Sequence, residues 1–167
     1  MSKRDENPRK VLAVASSGGH WVQLLRLRPS WDGISVAYLT TEIGYKEQVL
    51  PEPGSFPSTD TVPRFYCVVS ANRWTKFRLL KQLFQILVVL LRERPDVIIS
   101  TGATPGFFAI KFGKLLGART VWIDSIANAE ELSLSGKKIQ SSADLWLTQW
   151  PHLEATLPGL KYKGSVI

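Results

Sequence analysis

The chain has 167 residues, one cysteine, two histidines and a net charge of +7, from 21 Lys and Arg against 14 Asp and Glu. That length suits one domain able to bury its own core, and a composition of 44% apolar and 21% charged residues excludes wholesale disorder. A single cysteine excludes a disulfide framework or Cys-rich zinc site, and two histidines exclude a His-rich one; the basic surplus favours nucleic acid, anionic lipid or phosphorylated substrates without choosing among them.

Residues 1–10 read as a charged leader without the apolar core of a signal peptide. Val11 to Ala15 is a short continuous apolar run that ends at Ser16-Ser17-Gly18-Gly19-His20, and Trp21, Leu24 and Leu25 then fall at helical spacing: strand, glycine turn, helix. Ile34 to Leu39 is a second β-like run. Residues 51–63 hold Pro51, Pro53, Pro57, Pro63 and Gly54, which predicts a loop, and residues 65–69 a third strand. Residues 74–94 read as a long helix stopped by Pro95. Residues 96–100 form a fourth predicted strand, leading into Thr101-Gly102-Ala103-Thr104-Pro105-Gly106 and a helix over 107–116. Strands over 119–124 and 143–148 follow. Continuous apolar strands alternating with helices predict an α/β fold, a parallel sheet covered by helices on both faces. No run of about 18 apolar residues is present to span a membrane, and six tryptophans keep an interfacial role open.

In such sheets ligands bind beyond the carboxyl ends of the strands. Two glycine-rich turns stand at such ends, Ser17-Gly18-Gly19 and Thr101-Gly102-Ala103-Thr104-Pro105-Gly106. Each is followed by a helix whose free N–H groups suit a phosphate or diphosphate, although any tight strand-to-helix connection asks for the same residues. Neither turn is a GxxxxGK[ST], GxGxxG or GxSxG motif. His20 opens the first helix, where a neutral imidazole able to take a proton from a hydroxyl is expected; a capping role is the alternative. His152 reads as structural or surface. Asp124 ends the fifth strand and points to the same rim, with Ser125 and Glu130 close behind. There is no DxD pair. The 74–94 helix has two readings. It covers the sheet, or it also lies on a bilayer, with Trp74, Lys76, Arg78 and Lys81 beside an apolar face.

Three segments together resemble one family. Ser17-Gly18-Gly19-His20 before a Leu-rich helix is similar to the opening of the acceptor-side subunit of the split N-acetylglucosaminyltransferase of asparagine-linked glycosylation, and of its bacterial exopolysaccharide counterparts of the PssD type. Thr101-Gly102 with Pro105-Gly106 and Lys114 to Gly117 is the second. The third and most specific is Asp124 to Ala127, Leu132 to Lys137, Ala143-Asp144 and Gln149 to Pro151. The resemblance spans about residues 10–167. It implies a Rossmann-like domain equivalent to the N-terminal half of a GT-B glycosyltransferase, similar to the acceptor domain of MurG, over residues 11–167. It further implies a separate donor-binding subunit, a polyprenyl-diphosphate-linked saccharide acceptor, a nucleotide sugar at the shared cleft, and no metal or other cofactor. A C-terminal tail over about 160–167 would dock on the partner through Tyr162, Gly164, Val166 and Ile167. His20 would be the catalytic residue, with Ser17, Gly18, Gly19, Thr101, Gly102, Thr104, Pro105, Gly106, Asp124, Ser125 and Glu130 binding substrate. The eukaryotic subunit carries an N-terminal anchor that this leader does not resemble. Attachment is therefore expected through the 74–94 helix, peripherally, on the cytoplasmic face of a bacterial inner membrane. A non-catalytic scaffold for the partner is the first alternative. A stand-alone nucleotide-binding enzyme, with Glu42 as ribose ligand, is the second. A nucleic-acid binder lacks any recognised motif.

Overall fold

The computed structural model describes residues 9–50, 62–71 and 75–166. The first eight residues of the expected leader, most of the Pro-rich loop, Trp74 and Ile167 lie outside them. The elements run β1 (Lys10–Val14), α1 (Gly19–Arg26), β2 (Ser35–Thr40), β3 (Arg64–Cys67), α2 (Lys76–Glu93), β4 (Val97–Ser100), α3 (Ala103–Leu115), β5 (Arg119–Ile123), α4 (Leu134–Lys138), β6 (Leu145–Thr148), α5 (Pro151–Glu154) and β7 (Lys161–Tyr162). Among the described residues seven strands form one sheet in the order β3-β2-β1-β4-β5-β6-β7, and every pairing is parallel.

Strand β1 shows why its run is continuously apolar. Val11 and Ala13 join one core with Trp21, Leu24, Trp31 and Tyr38. Leu12 and Val14 join the other with Leu39, Ile86, Leu90, Ile98 and Ile110. Both faces of the strand are buried, so no polar alternation survives. Helix α1 covers the first face; α2 and α3 cover the second. Gly106, Ala109 and Gly113 let α3 approach β4 closely: a Cβ on Gly113 would stand 1.9 Å from Ile98 Cδ1, and one on Gly106 would stand 1.8 Å from Ser100 Oγ.

Three expectations change. Helix α3 begins at Ala103, not 107, so Thr104, Pro105 and Gly106 form its first turn. Lys10 belongs to β1 rather than to a leader. The tryptophan surplus goes largely inward, since Trp21, Trp31, Trp122 and Trp146 are all buried.

Candidate functional site

The chain moves outward from β1 to β2 and β3, then returns through α2 to β4 on the other side of β1. The carboxyl ends of β1 and β4 therefore stand side by side at the point where strand order reverses, the place where open α/β sheets leave a crevice. The two glycine turns meet there.

The first turn is held from below. Ser17 N–H donates to Thr41 Oγ1 at 3.1 Å, and Gly18 N–H donates to the Tyr45 hydroxyl at 3.0 Å. Tyr45 is fixed by stacking on Trp21, centroids 5.1 Å apart. Trp21 and Val22 N–H both bond Gly18 O. The amides of Gly19 and His20 are left without a partner among the described residues, at the positive end of α1. Ser17, Gly18 and Gly19 are exposed.

His20 lies between the turns. Thr101 Oγ1 donates to its carbonyl at 2.7 Å. Gly102 packs against its ring: a Cβ there would stand 2.7 Å from Cδ2 and 2.8 Å from Nε2. Gly102 has φ +132° and Ala103 φ +63°, a kinked entry into α3. On the other edge of the ring, Nδ1 lies 3.2 Å from Ser16 Oγ, whose own hydroxyl donates to Ser17 O at 3.3 Å. A Ser16 hydroxyl that donates to Ser17 O can accept from Nδ1–H, the tautomer that leaves the lone pair on Nε2. Burial lowers the His20 pKa below 6.5, partly opposed by the charge of Asp124. Burial thus favours the neutral imidazole.

Several residues expected to face substrate point inward. Asp124 is buried, its carboxylate spent on four donors: Trp122 Nε1 at 3.2 Å and Ser133 Oγ at 2.6 Å on one oxygen, Asn128 Nδ2 at 3.1 Å and Ser133 N–H at 2.9 Å on the other. Ser125 is buried and receives a hydrogen bond from Gln23 Nε2. Thr101 is buried with its hydroxyl on His20 O. Pro105 and Gly106 are buried in α3, the latter against Ser100. These five build the floor. Ser17, Gly18, Gly19, His20, half-buried Thr104 and exposed Glu130 remain at the surface, with the Gly102 backbone behind the ring.

The sequence reading gave no role to Ser16, although it stands four residues before His20, nor to Tyr45, Gln23 or Gln149, the last quoted only as part of the family pattern. The 125–133 loop carrying Glu130 is clamped by Asp124, by Trp150 Nε1 on Ile126 O at 2.8 Å, and by His152 Nε2 on Ala129 O at 2.7 Å. Glu42 instead accepts from Gly44 N–H and caps the 43–48 turn. In the expected docking tail, Tyr162 lies in β7, paired with β6. Val166 is bonded to this domain's own Gln149 and Arg26, and Gly164 has φ +115° between them. Among the described residues no three His, Cys, Asp or Glu side chains gather to hold a metal ion.

Helix α2 carries a continuous exposed apolar stripe: Phe77, Leu80, Phe84, Leu87, Val88 and Leu91. Phe77 is 89% and Phe84 68% exposed. Lys76, Arg78 and Lys81 are exposed beside it, at the end nearer the glycine turns. Ile86, Val89 and Leu90 face the core. No described helix is long and apolar enough to cross a membrane.

A parallel sheet with helices on both faces and a crevice at its switch point defines the class: a Rossmann-like α/β domain. Among solved structures, Acinetobacter baumannii MurG superposes with TM-score 0.70 at 16% identity, over 95% of this chain and 46% of MurG. A UDP-N-acetylglucosamine 2-epimerase from Rickettsia bellii gives 0.65 at 17%, over 96% and 46%. The chain thus spans about half the length of these proteins, and at such identities the likeness speaks to the fold alone. The family model for "Oligosaccharide biosynthesis protein Alg14 like" matches residues 55–166, and the chain belongs to that family. Relatives named UDP-N-acetylglucosamine transferase subunit ALG14 include those of Homo sapiens, 28% identical over all of this chain and 88% of the relative, and of Eremothecium gossypii, 27% over 96% and 81%. The Schizosaccharomyces pombe relative is 28% identical over 99% and 87%. These relatives are eukaryotic and lend no support to a bacterial inner membrane.

Proposed function

We propose that this chain is the acceptor-side half of a two-component glycosyltransferase, working with a separate donor-binding subunit at a membrane surface. The observation that carries the reading is the meeting of the two glycine turns around the neutral His20 ring. The naming of the family's relatives as transferase subunits supports the division of labour. Glu130, Thr104 and the Ser17–Gly19 turn would line the acceptor side. The open amides of Gly19 and His20, at the positive end of α1, would hold the diphosphate of a polyprenyl-linked saccharide or lie beside that of a nucleotide sugar. His20 Nε2 would take the proton from the acceptor hydroxyl as its oxygen bonds the anomeric carbon. The bond from that carbon to the donor diphosphate then breaks, and the electron pair leaves on the diphosphate oxygen. Ser16, accepting from Nδ1–H, would hold the tautomer that this step needs.

Helix α2 would supply the membrane contact on the cytoplasmic face, its apolar stripe entering the interface while Lys76, Arg78 and Lys81 meet anionic headgroups. This would put the lipid end of the acceptor near the crevice.

The decisive assay reconstitutes the chain with its donor subunit on membranes and follows transfer from radiolabelled nucleotide sugars. His20→Ala should abolish transfer while leaving pair assembly intact. Full activity in that variant removes His20 from the mechanism and favours a scaffold. Nucleotide-sugar turnover by this chain alone would instead make it a stand-alone enzyme.

A further inference from the structure

Helix α1 presents His20, Gln23 and Arg26 at successive three-residue steps, and each reaches a different part of the molecule. His20 abuts Gly102. Gln23, 6% exposed, enters a buried amide cluster with Gln149, 1% exposed. Gln149 Nε2 donates to Gln23 Oε1 at 2.7 Å and to Asp124 O at 2.9 Å. Gln23 Oε1 also accepts from Ile126 N–H at 3.1 Å, and Gln23 Nε2 donates to Ser125 Oγ at 3.1 Å. Gln149 Oε1 accepts from Val166 N–H at 2.8 Å. The Val166 carbonyl in turn accepts from Arg26 Nη1 at 3.3 Å, and Ser165 Oγ donates to Gln149 O at 2.7 Å. The amide orientations are forced. Turned over, Gln149 would set its NH2 against Val166 N–H and its oxygen against Gln23 Oε1 and Asp124 O.

We propose that Gln149 and Gln23 are positioning residues that couple the seating of the 163–166 segment to the His20 helix and to the loop carrying Glu130. A partner that displaces or clamps this segment would thereby reset the site. That consequence rests on the transferase reading; the coupling itself does not. Two buried side-chain amides join three chain segments distant in sequence, and every polar atom of the pair is used. Loss of the Val166 donor leaves Gln149 Oε1 buried and unpaired. The amide would then exchange that state for reorientation, releasing Gln23 and with it Ile126 N–H.

The test is amide hydrogen exchange on the full chain, comparing wild type with Val166→Pro, which removes the N–H donor to Gln149 Oε1 and also fixes the local backbone. Exchange at Ile126 should rise about 3- to 10-fold, the range for one lost neutral hydrogen bond, while Leu12 and Ile98 at the sheet centre stay unchanged. Equal rises at all three, which general destabilisation would give, overturn the proposal, as does no rise at Ile126. Arg26→Met supplies a second perturbation through an exposed residue outside the buried cluster. It should produce a smaller, equally selective rise, and silence at Ile126 in both variants refutes the coupling. Neither partner nor substrate is present, so failure here is separate from failure of the transferase reading, which the reconstituted pair decides.

Discussion

Gly102→Ala tests the contact on which the site is built. Two costs are visible. The backbone stands at φ +132°, ψ −168°, a region open in practice to glycine; holding alanine there costs about 1–3 kcal/mol. The new methyl carbon would lie 2.7 Å from His20 Cδ2, where ordinary contact begins near 3.4 Å. The ring must therefore retreat by about 0.7 Å, which also disturbs its 3.2 Å contact with Ser16 on the opposite edge. Misplacement on that scale costs a reaction about 10–100-fold. Chemical unfolding of wild type, His20→Ala, Gly102→Ala and the double variant separates the two costs. In the His20→Ala background the backbone term persists and the steric term vanishes, so Gly102→Ala should be less destabilising there by about 0.5–1.5 kcal/mol. Equal costs in both backgrounds would show that the imidazole does not rest on Gly102. The proposed juxtaposition of the two turns would then fail.

Asp124→Asn keeps the shape but turns one acceptor oxygen into a donor facing Ser133 or Asn128. With the group buried, about 2–4 kcal/mol of stability should be lost in denaturant titration, and a loss under about 0.5 kcal/mol would contradict the four-donor assignment. The lowered His20 pKa has a defined sign. The unfolded chain takes up the proton first, so stability should fall as pH drops through 6.5 and level off below the folded value. His20→Gln should flatten that slope in urea midpoints measured from pH 7.5 to 5, and an unchanged slope would assign it elsewhere. Phe84→Glu on the exposed face of α2 should weaken co-sedimentation with anionic vesicles by about 10-fold or more, with stability unaffected. Raising salt should weaken wild-type binding further through Lys76, Arg78 and Lys81. Binding equal to wild type in the variant would move the membrane contact off α2.

Much of the frame was legible because it follows from short-range pattern. The run Val11 to Ala15 broken at Gly18-Gly19 could hardly be anything but a buried strand entering a helix. The stretch from Lys76 to Glu93 declared its helix by length and its two faces by spacing. What was not legible depended on direction in space. Asp124 does stand at the end of β5, as its position predicts, but whether its carboxylate turns out or in is decided by Ser133, nine residues on, and by Gly136. A Cβ on that glycine would stand 2.5 Å from Asp124 Oδ1. Gly106 read as an opening for ligand because glycine signals close approach; the approaching atom is Ser100 Oγ of the same chain. Strand β7 has two residues, too short for periodicity to show.

The most specific part of the family pattern thereby acquires a physical meaning. Ser133 caps α4 by accepting from Gly136 N–H at 2.8 Å while donating to Asp124. Asp144 binds Thr120 N–H at 2.9 Å and its hydroxyl at 3.0 Å, tying β6 to β5. Gln149 and Trp150 hold Asp124 O and Ile126 O. Each of these polar side chains is engaged in hydrogen bonds within the domain. They fasten the loop that follows β5 to the sheet, to α1 and to the chain's last residues. Residues that identify a family can therefore be those that build a site rather than those that act in it. In this chain the acting group argued for is the less distinctive His20, and the distinctive ones explain why the surface around it keeps its shape.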